Sequence, residues 1–369
     1  MPSNNLITIA TAGSGKTTGL VRDAISFADG KSALITYTRN GAAELREKAL
    51  LSNGFIPDNL HVGTWFTFLL RHFVRPYQRA LHETPIRRLS FVEGRSAKFA
   101  RKDNIQQYYL GEADSIYSDK ISQFACAIIE ATGGLPLQRL EGIYSRLYID
   151  EIQDLAGYDL DLLEHLLGSS IDVRMVGDIR QATYKTNNSG RNAQFGGSRI
   201  IDKFEEWRAG GRLKIDYNTD SHRCTQAVCD LADLLYPNLP KATSLNELKT
   251  EHDGVFAVRE SDVQNYLEQF RPQTMRLDKK TKNVPGNAVN FGASKGCTFN
   301  RVMIFPHKKL LDAIKHGDFA RLGDAPTTIA KVYVGITRAR QSVAFVVPNN
   351  FSPKLVPLFE IPQREERAA

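Results

Sequence analysis

The 369-residue sequence predicts an α/β protein built on parallel sheets, and three observations carry that expectation. Short β-rich apolar runs alternate with helically spaced segments through the first fifty or so residues, giving strand–loop–helix–strand–helix. Further apolar runs stand at 146–150 and 173–178, and a second set stands at 212–217, 300–306 and 342–348. A glycine-bearing loop follows the first strand and opens the first helix, the arrangement that aims backbone N–H groups and a helix dipole at an anion.

Each element follows from its residues. LITIA (6–10) is the first strand. TTGLVRDAISFA (17–28) places Leu20, Val21, Ala24, Ile25 and Ala28 at helical spacing. SALITYT (32–38) is the second strand and NGAAELREKALL (40–51) the second helix. RLYID (146–150) and VRMVGD (173–178) extend the first set. RLKIDY (212–217) is expected to open the second, followed by NRVMIFP (300–306) and SVAFVVP (342–348). Between the sets, KTNNSGRNAQFGGSR (185–199) is rich in Asn, Gly and Ser and reads as loop. A boundary within 190–212 follows, giving domains at 1–205 and 206–369. No internal repeat is found, and the final REERAA reads as a frayed tail.

Composition is that of a globular chain, with 42% hydrophobic and 24% charged residues. No run approaches the roughly 18 apolar residues of a membrane span. The first residues lack a basic region followed by a long apolar run, so no signal peptide is expected and the cytoplasm is the expected location. Cys126, Cys224, Cys229 and Cys297 are scattered and form no C-x-x-C pair, which favours reduced core cysteines over a metal site. A formal charge of +7 and a pI near 9.1 tilt the chain toward a polyanionic partner.

The loop ATAGSGKT (10–17) approximates G-x-x-x-x-G-K-[ST], with Ala10 where Gly is usual and only a small residue is needed. Gly13 and Gly15 supply the bends. Ala12, Gly13, Ser14, Gly15, Lys16, Thr17 and Thr18 form the expected ATP cradle. Lys16 would reach the β- and γ-phosphates, and the Thr17 hydroxyl would take Mg²⁺. In RLYIDEIQDL (146–155), a strand ends in two carboxylates. Asp150 is the expected second Mg²⁺ residue, acting through water, and Glu151 the residue that polarises the attacking water. Alone, such a pair is an ordinary solvated loop; downstream of a matched phosphate loop it reads as a hydrolytic site.

Eight ordered segments then resemble the UvrD/Rep/PcrA-type helicases of superfamily 1, group 1A. ATAGSGKTT resembles their first motif, ITYTRNGAAELREK (35–48) their TFTNKAAxEMxxR segment, and VGTWFTFLLR (62–71) their GTFHSFxxR. YIDEIQDL resembles DExQD, VGDIRQATY (176–184) resembles VGDxxQSIY, and YNTDSHRCTQAV (217–228) resembles the NYRS segment. GASKGCTFNRVMI (292–304) resembles HSAKGLEFxxV and YVGITRAR (333–340) resembles YVALTRAR. The resemblance spans about residues 6–348. It implies two RecA-like domains, the first carrying a small, mainly helical insertion at about 72–145, with ATP at the domain interface. It implies that Gln181 senses the γ-phosphate, that Gly296 lies at the nucleotide, and that Arg223 and Arg338 act as arginine fingers.

The resemblance further implies 3′-to-5′ movement on single-stranded DNA. Strand binding needs aromatic stacking plus cations on the backbone. Tyr37 stands where the family has a stacking Phe, and Arg39, Thr64, Trp65 and Phe66 are the other expected contacts. The stretch 71–102 adds nine basic residues against Glu83 and Glu93. The chain also departs from the family. No glutamine precedes the loop, Thr186 and Asn187 replace a stacking aromatic and its arginine, Thr298 replaces a Glu, and residues 230–290 leave no room for the large second accessory domain. The expected function is therefore an ATP-dependent DNA helicase or translocase. The alternative is an ATP- and nucleic-acid-sensing subunit of a partner such as a nuclease, in DNA repair or antiviral defence.

Overall fold

A computed structural model describes residues 4–360 except 93, 113, 185 and 188. Glu93 of the basic stretch and the expected tail at 364–369 therefore lie outside the described residues. The chain divides into two units, one holding residues up to Ala10 with Gly15–Tyr217, the other Thr11–Ser14 with Asn218 onward.

The first unit is organised by a six-stranded sheet. Its strands are β1 (Leu6–Ala10), β2 (Ser32–Thr36), β3 (Leu60–Thr64), β6 (Arg146–Ile149), β7 (Asp172–Gly177) and β8 (Lys214–Asn218), and a separate pair is formed by β4 (Arg88–Ser90) and β5 (Ser115–Tyr117). The order is β3-β2-β6-β7-β1-β8. The five strands from β3 to β1 pair in parallel. Every residue of SALIT in β2 is buried, as a parallel strand covered on both faces requires. Helix α1 (Lys16–Ser26) buries Leu20, Val21 and Ala24. Helix α2 (Arg39–Asn53) buries Ala42, Leu45 and Ala49. Both pack over Leu34 and Tyr148. Thr38 caps α2 by accepting the Gly41 N–H at 2.9 Å, and the helix ends at Gly54 with φ 78°.

The insertion occupies the chain between β3 and β6. Helix α3 (Trp65–Leu69) runs into a π-helical turn at Leu70–Val74 and then α4 (Arg75–Tyr77). Helices α5 (Ile105–Tyr109), α6 (Ile121–Ala131) and α7 (Leu135–Glu141) follow, with β4 and β5 as a short parallel pair. The insertion is thus mainly helical, as expected, with that pair added. Helices α8 (Tyr158–Leu167) and α9 (Ile200–Ala209) complete the unit.

The second unit carries a five-stranded parallel sheet, ordered β11-β15-β14-β12-β13. These strands are β11 (Gly254–Arg259), β12 (Gln273–Arg276), β13 (Val289–Asn290), β14 (Phe299–Phe305) and β15 (Ala339–Val347). β9 (Asp220–Ser221) and β10 (Thr243–Ser244) form a small separate pair. Helices α10 (Gln226–Asp233), α11 (Val263–Phe270), α12 (Lys308–His316) and α13 (Pro326–Ile336) connect them. The core gathers Val332, Tyr333 and Ile336 of α13 with Ile304, Val343 and Phe345.

Two expectations are corrected. The strand expected to open the second set, β8, instead edges the first sheet beside β1, where the Lys214 N–H donates to the Asn5 carbonyl at 2.9 Å. Its residues are largely exposed, and an alternating edge strand carries no signal of which sheet it joins. Cys297 is exposed rather than in the core, because it sits in a loop after Gly296, whereas Cys224 and Cys229 are buried. Among the described residues no helix is long and apolar enough to cross a membrane.

Candidate nucleotide site and strand-binding surface

The strand order explains how distant motifs meet. β6 and β7 lie between β1 and β2, so their carboxyl ends adjoin the loop that leaves β1. The register pairs Ile9 of β1 with Gly177 of β7, and Ile149 of β6 with Met175. That is the crevice at strand ends where open parallel sheets place ligands. Helix α1 begins at Lys16 directly after Gly15, which adopts φ 73°, and Gly13 adopts φ 80°. Both values lie in the left-handed region that glycine enters at no steric cost.

Four of the expected site residues converge here. The Thr17 hydroxyl donates to Asp150 Oδ2 at 3.0 Å. Asp150 is buried, and that burial, with the Glu151 carboxylate beside it, pushes its carboxyl up to about 7 against the opposing pull of Lys16 and the Thr17 hydroxyl. A buried carboxylate and a hydroxyl side by side offer two hard oxygen ligands, the donor set that Mg²⁺ takes beside phosphates and water. Among the described residues no group of three or more His, Cys, Asp or Glu gathers as a closed metal cage, which Mg²⁺ does not need. The Ser14 hydroxyl is buried with no hydrogen-bond partner among the described residues, which fits a loop shaped to receive an acceptor-rich anion. Ala12 is buried, and Lys16, Thr17 and Thr18 are half-buried.

Glu151 sits at φ 58°, ψ 43°, a left-handed conformation that costs a non-glycine residue roughly 1 kcal/mol or more. A chain of hydrogen bonds holds it there. Gln153 Nε2 donates to Glu151 Oε2, and Gln153 Oε1 accepts the Asp178 N–H at 3.1 Å. Asp178 Oδ2 in turn accepts from Gln181 Nε2 at 2.8 Å. Gly177 makes room for this chain, since a Cβ there would stand 2.3 Å from Gln153 Oε1. Glu151 and Gln181 are thereby linked through two buried residues at the ends of β6 and β7.

The second unit assembles the other candidates. Arg223 Nη1 donates to the Thr337 carbonyl at 3.2 Å. Arg338 is buried, with Nε donating to the Val334 carbonyl at 3.2 Å and Nη1 to the Cys297 carbonyl at 3.1 Å. Three sequence-distant segments thus lie side by side, and exposed Gly296 adjoins them with φ 90°. Residues 11–14 belong to this unit. The Ser221 hydroxyl donates to the Ala12 carbonyl at 2.8 Å, and the Ala12 N–H donates to the Tyr333 hydroxyl at 3.4 Å. A Cβ on Gly13 would stand 2.5 Å from Arg223 Cβ.

The strand candidates divide by exposure. Arg39 is exposed at the start of α2, and Tyr37 is half-buried, its ring edge-on to Phe66 at 5.3 Å. Thr64 is half-buried and caps α3 by accepting the Thr67 N–H at 3.3 Å. Trp65 and Phe66 lie in the interior. The Trp65 indole N–H donates to Asp159 Oδ1 at 2.8 Å, and its ring stacks with Phe68 at 6.2 Å. Thr186 is also buried, donating to Asp159 Oδ2 and accepting the Ala156 N–H at 3.0 Å.

Sequence reasoning missed several residues of the arrangement. Gln153 and Asp178 were legible only as members of matching segments. Tyr333 and Ser221 likewise stand in matching segments, but their partner, Ala12, lies more than 200 residues away. Asp159 follows an acidic stretch and reads as a helix-opening charge, yet it is a buried acceptor for Trp65, Ser122 and Thr186.

No family model and no curated protein matches the sequence. Among solved structures, the chain is similar to the arterivirus nonstructural protein 10 helicase in complex with DNA, at 15% identity and TM-score 0.47, covering 94% of this chain and 61% of that one. It is similar to the same helicase without DNA at 14% identity and TM-score 0.45, over 94% and 60% of the two chains. It is also similar to the Pif1 helicase from Bacteroides in complex with ADP-AlF3 and ssDNA, at 14% identity and TM-score 0.39, over 98% and 92%. The chain spans about three fifths of the length of the arterivirus proteins. None of the three is named as a UvrD, Rep or PcrA protein, and the likeness is too distant to assign an activity.

Proposed function

We propose that the chain is an ATP-driven motor on single-stranded DNA, a helicase or translocase moving 3′ to 5′. The observation that carries this reading is the Thr17–Asp150 hydrogen bond, continued by the Glu151–Gln153–Asp178–Gln181 chain at the ends of adjacent parallel strands. The residues from Ala12 to Thr18 hold the phosphates, with Lys16 on the β/γ pair. Thr17 and Asp150 hold Mg²⁺, which when bound offsets phosphate charge. Glu151 accepts the proton of the attacking water as its oxygen bonds to the γ-phosphorus and the bridge to the β-phosphate breaks. Gln181 senses the γ-phosphate, Arg223 and Arg338 neutralise charge that develops on the leaving side, and Gly296 lies at the nucleotide. Tyr37, Arg39 and Thr64 face the strand, and Phe66 packs edge-on against Tyr37 while Trp65 lies in the interior beside it. If, as the resemblance implies, two bodies supply side chains around one phosphate, closure depends on ATP and hydrolysis reopens the cleft.

ATP turnover without nucleic acid, and with single-stranded DNA, duplex DNA and RNA, tests the reading. Stimulation by single-stranded DNA is expected. Lys16→Ala abolishes turnover and keeps DNA binding; surviving turnover would overturn the assignment of the loop. Displacement from a 3′-tailed but not a 5′-tailed duplex checks the direction.

The buried Thr186 supports a second reading. Where the resembling family has a base-stacking aromatic, this hydroxyl is spent on Asp159. Losing one stacked base removes roughly 1–3 kcal/mol of strand grip. The chain would then sense ATP and nucleic acid on behalf of a partner such as a nuclease, in DNA repair or phage defence. DNA-stimulated turnover with no displacement from either tailed duplex selects this reading.

A further inference from the structure

We propose that the insertion residues 91, 92 and 94–102 are a second part of the strand-binding surface, in which Phe91 is a stacking platform for a base of single-stranded nucleic acid. The inference rests on the strand-binding reading above. It starts from three rings in a row. Tyr37 meets Phe66 edge-to-face at 5.3 Å and 66°, and Phe66 meets Phe91 edge-to-face at 5.8 Å and 71°. The middle ring is buried, Tyr37 is half-buried and Phe91 is exposed, so Phe66 joins Tyr37, which follows β2, to Phe91 of the insertion. Phe91 is 63% exposed, and edge-to-face packing leaves it a free face.

The loop is held at both sides of this ring. Ser90 pairs with Tyr117 in the β4–β5 ladder, and its carbonyl accepts the Ser118 N–H at 2.9 Å. Ser96 is fixed twice on buried Asp119, by its N–H at 3.0 Å and its hydroxyl at 2.6 Å. Single exposed apolar side chains are ordinary on protein surfaces. Here Phe99, 99% exposed, lies eight positions after Phe91, and Arg95, Lys98, Arg101 and Lys102 share the same loop, all exposed. Exposed rings interleaved with cations are what a single strand needs: π-faces for bases and positive charge for phosphates. An aliphatic protein partner would not call for those four cations.

The test uses the full chain with fluorescent oligo-dT and oligo-U, so that the two sugars are compared directly. Phe91→Ala is expected to weaken strand binding roughly 5- to 100-fold, the loss of one stacked base. Phe91→Trp keeps the affinity, and its emission is quenched when a strand binds. The native Trp65 and Trp207 are buried, which leaves the new indole as the strand-sensitive one. Quenching by either oligonucleotide supports the platform. If the native chain binds a strand, Phe91→Ala binds as tightly and the Phe91→Trp emission does not change, the platform is overturned and the strand-binding reading stands. If the native chain binds neither oligonucleotide, the strand-binding reading itself falls.

Discussion

Glu151 is held in a backbone conformation that its own chemistry disfavours, and Gln153 fixes the carboxylate that this backbone presents. The amide of Gln153 uses both ends: its NH₂ serves the Glu151 carboxylate and its oxygen takes the Asp178 N–H. Removing that side chain leaves the N–H of a fully buried Asp178 without this acceptor, and it releases the Glu151 carboxylate from its amide donor. Gln153→Ala is therefore expected to slow single-turnover ATP hydrolysis roughly 5- to 100-fold, the effect of about 1–3 kcal/mol of lost positioning. ATP affinity, which depends on the loop, should change little. A hydrolysis rate equal to the native one would remove Gln153 from the positioning role. The identity of Gln153 was readable in DExQD, but its partner was not, because Asp178 arrives through the pairing of β6 with β7 rather than through any local spacing.

At the scale of elements, the first unit is tied together by one buried carboxylate. Asp159 of α8 accepts from Trp65 of α3, Ser122 of α6 and Thr186 of the segment after β7. Burial raises its pKa, and these three donors lessen that rise without cancelling it. Asp159→Ala leaves all three donors unsatisfied in the interior, and urea unfolding should report a loss of about 2–5 kcal/mol. Asp159→Asn keeps the shape but cannot accept from all three donors, and should lie between Asp159→Ala and the native chain. Equal stability of all three would show that the hydroxyls and the indole find other partners. This hub also explains why Trp65 could not be placed from its segment. The motif marks the residue type, but the choice between an exposed stacking ring and a buried one is made by an acceptor 94 positions away. The strands and helices themselves were legible because β2 carries an apolar run at 33–35 and β15 one at 343–347, and because α1 and α2 repeat at 3.6 residues. β8 was not, since its alternating residues suit the edge of either sheet.

At the scale of the whole molecule, each unit buries a neutral histidine, and the two make acid a common threat to both. His252 lies between Phe256 and Phe270, with ring centroids at 4.7 and 3.8 Å, and its Nε2 faces the Tyr266 hydroxyl. Burial, aided by Arg301 and opposed by Asp253, lowers its pKa to about 4. His72 of the first unit packs on Phe68 and Tyr144, and burial with Arg71, Arg139 and His61 lowers its pKa to about 4 as well. The folded-state pKa of each therefore lies below the unfolded value of about 6.5. As pH falls through 6.5 the unfolded chain takes up the proton first, so stability is full above that value and is lost progressively toward pH 4. Each histidine accounts for up to about 3 kcal/mol across that window. Thermal melting of the native chain at about pH 7 and about pH 5 should show a lower midpoint in acid. His252→Phe suits the aromatic surroundings and should reduce that difference, while His72→Gln should reduce it through the other unit. The carboxylates contribute below about pH 5 in all variants, so the comparison between variants, not the absolute midpoint, carries the result. An acid shift that is the same in the native chain and in both variants would mean that neither histidine is the group that takes up the proton.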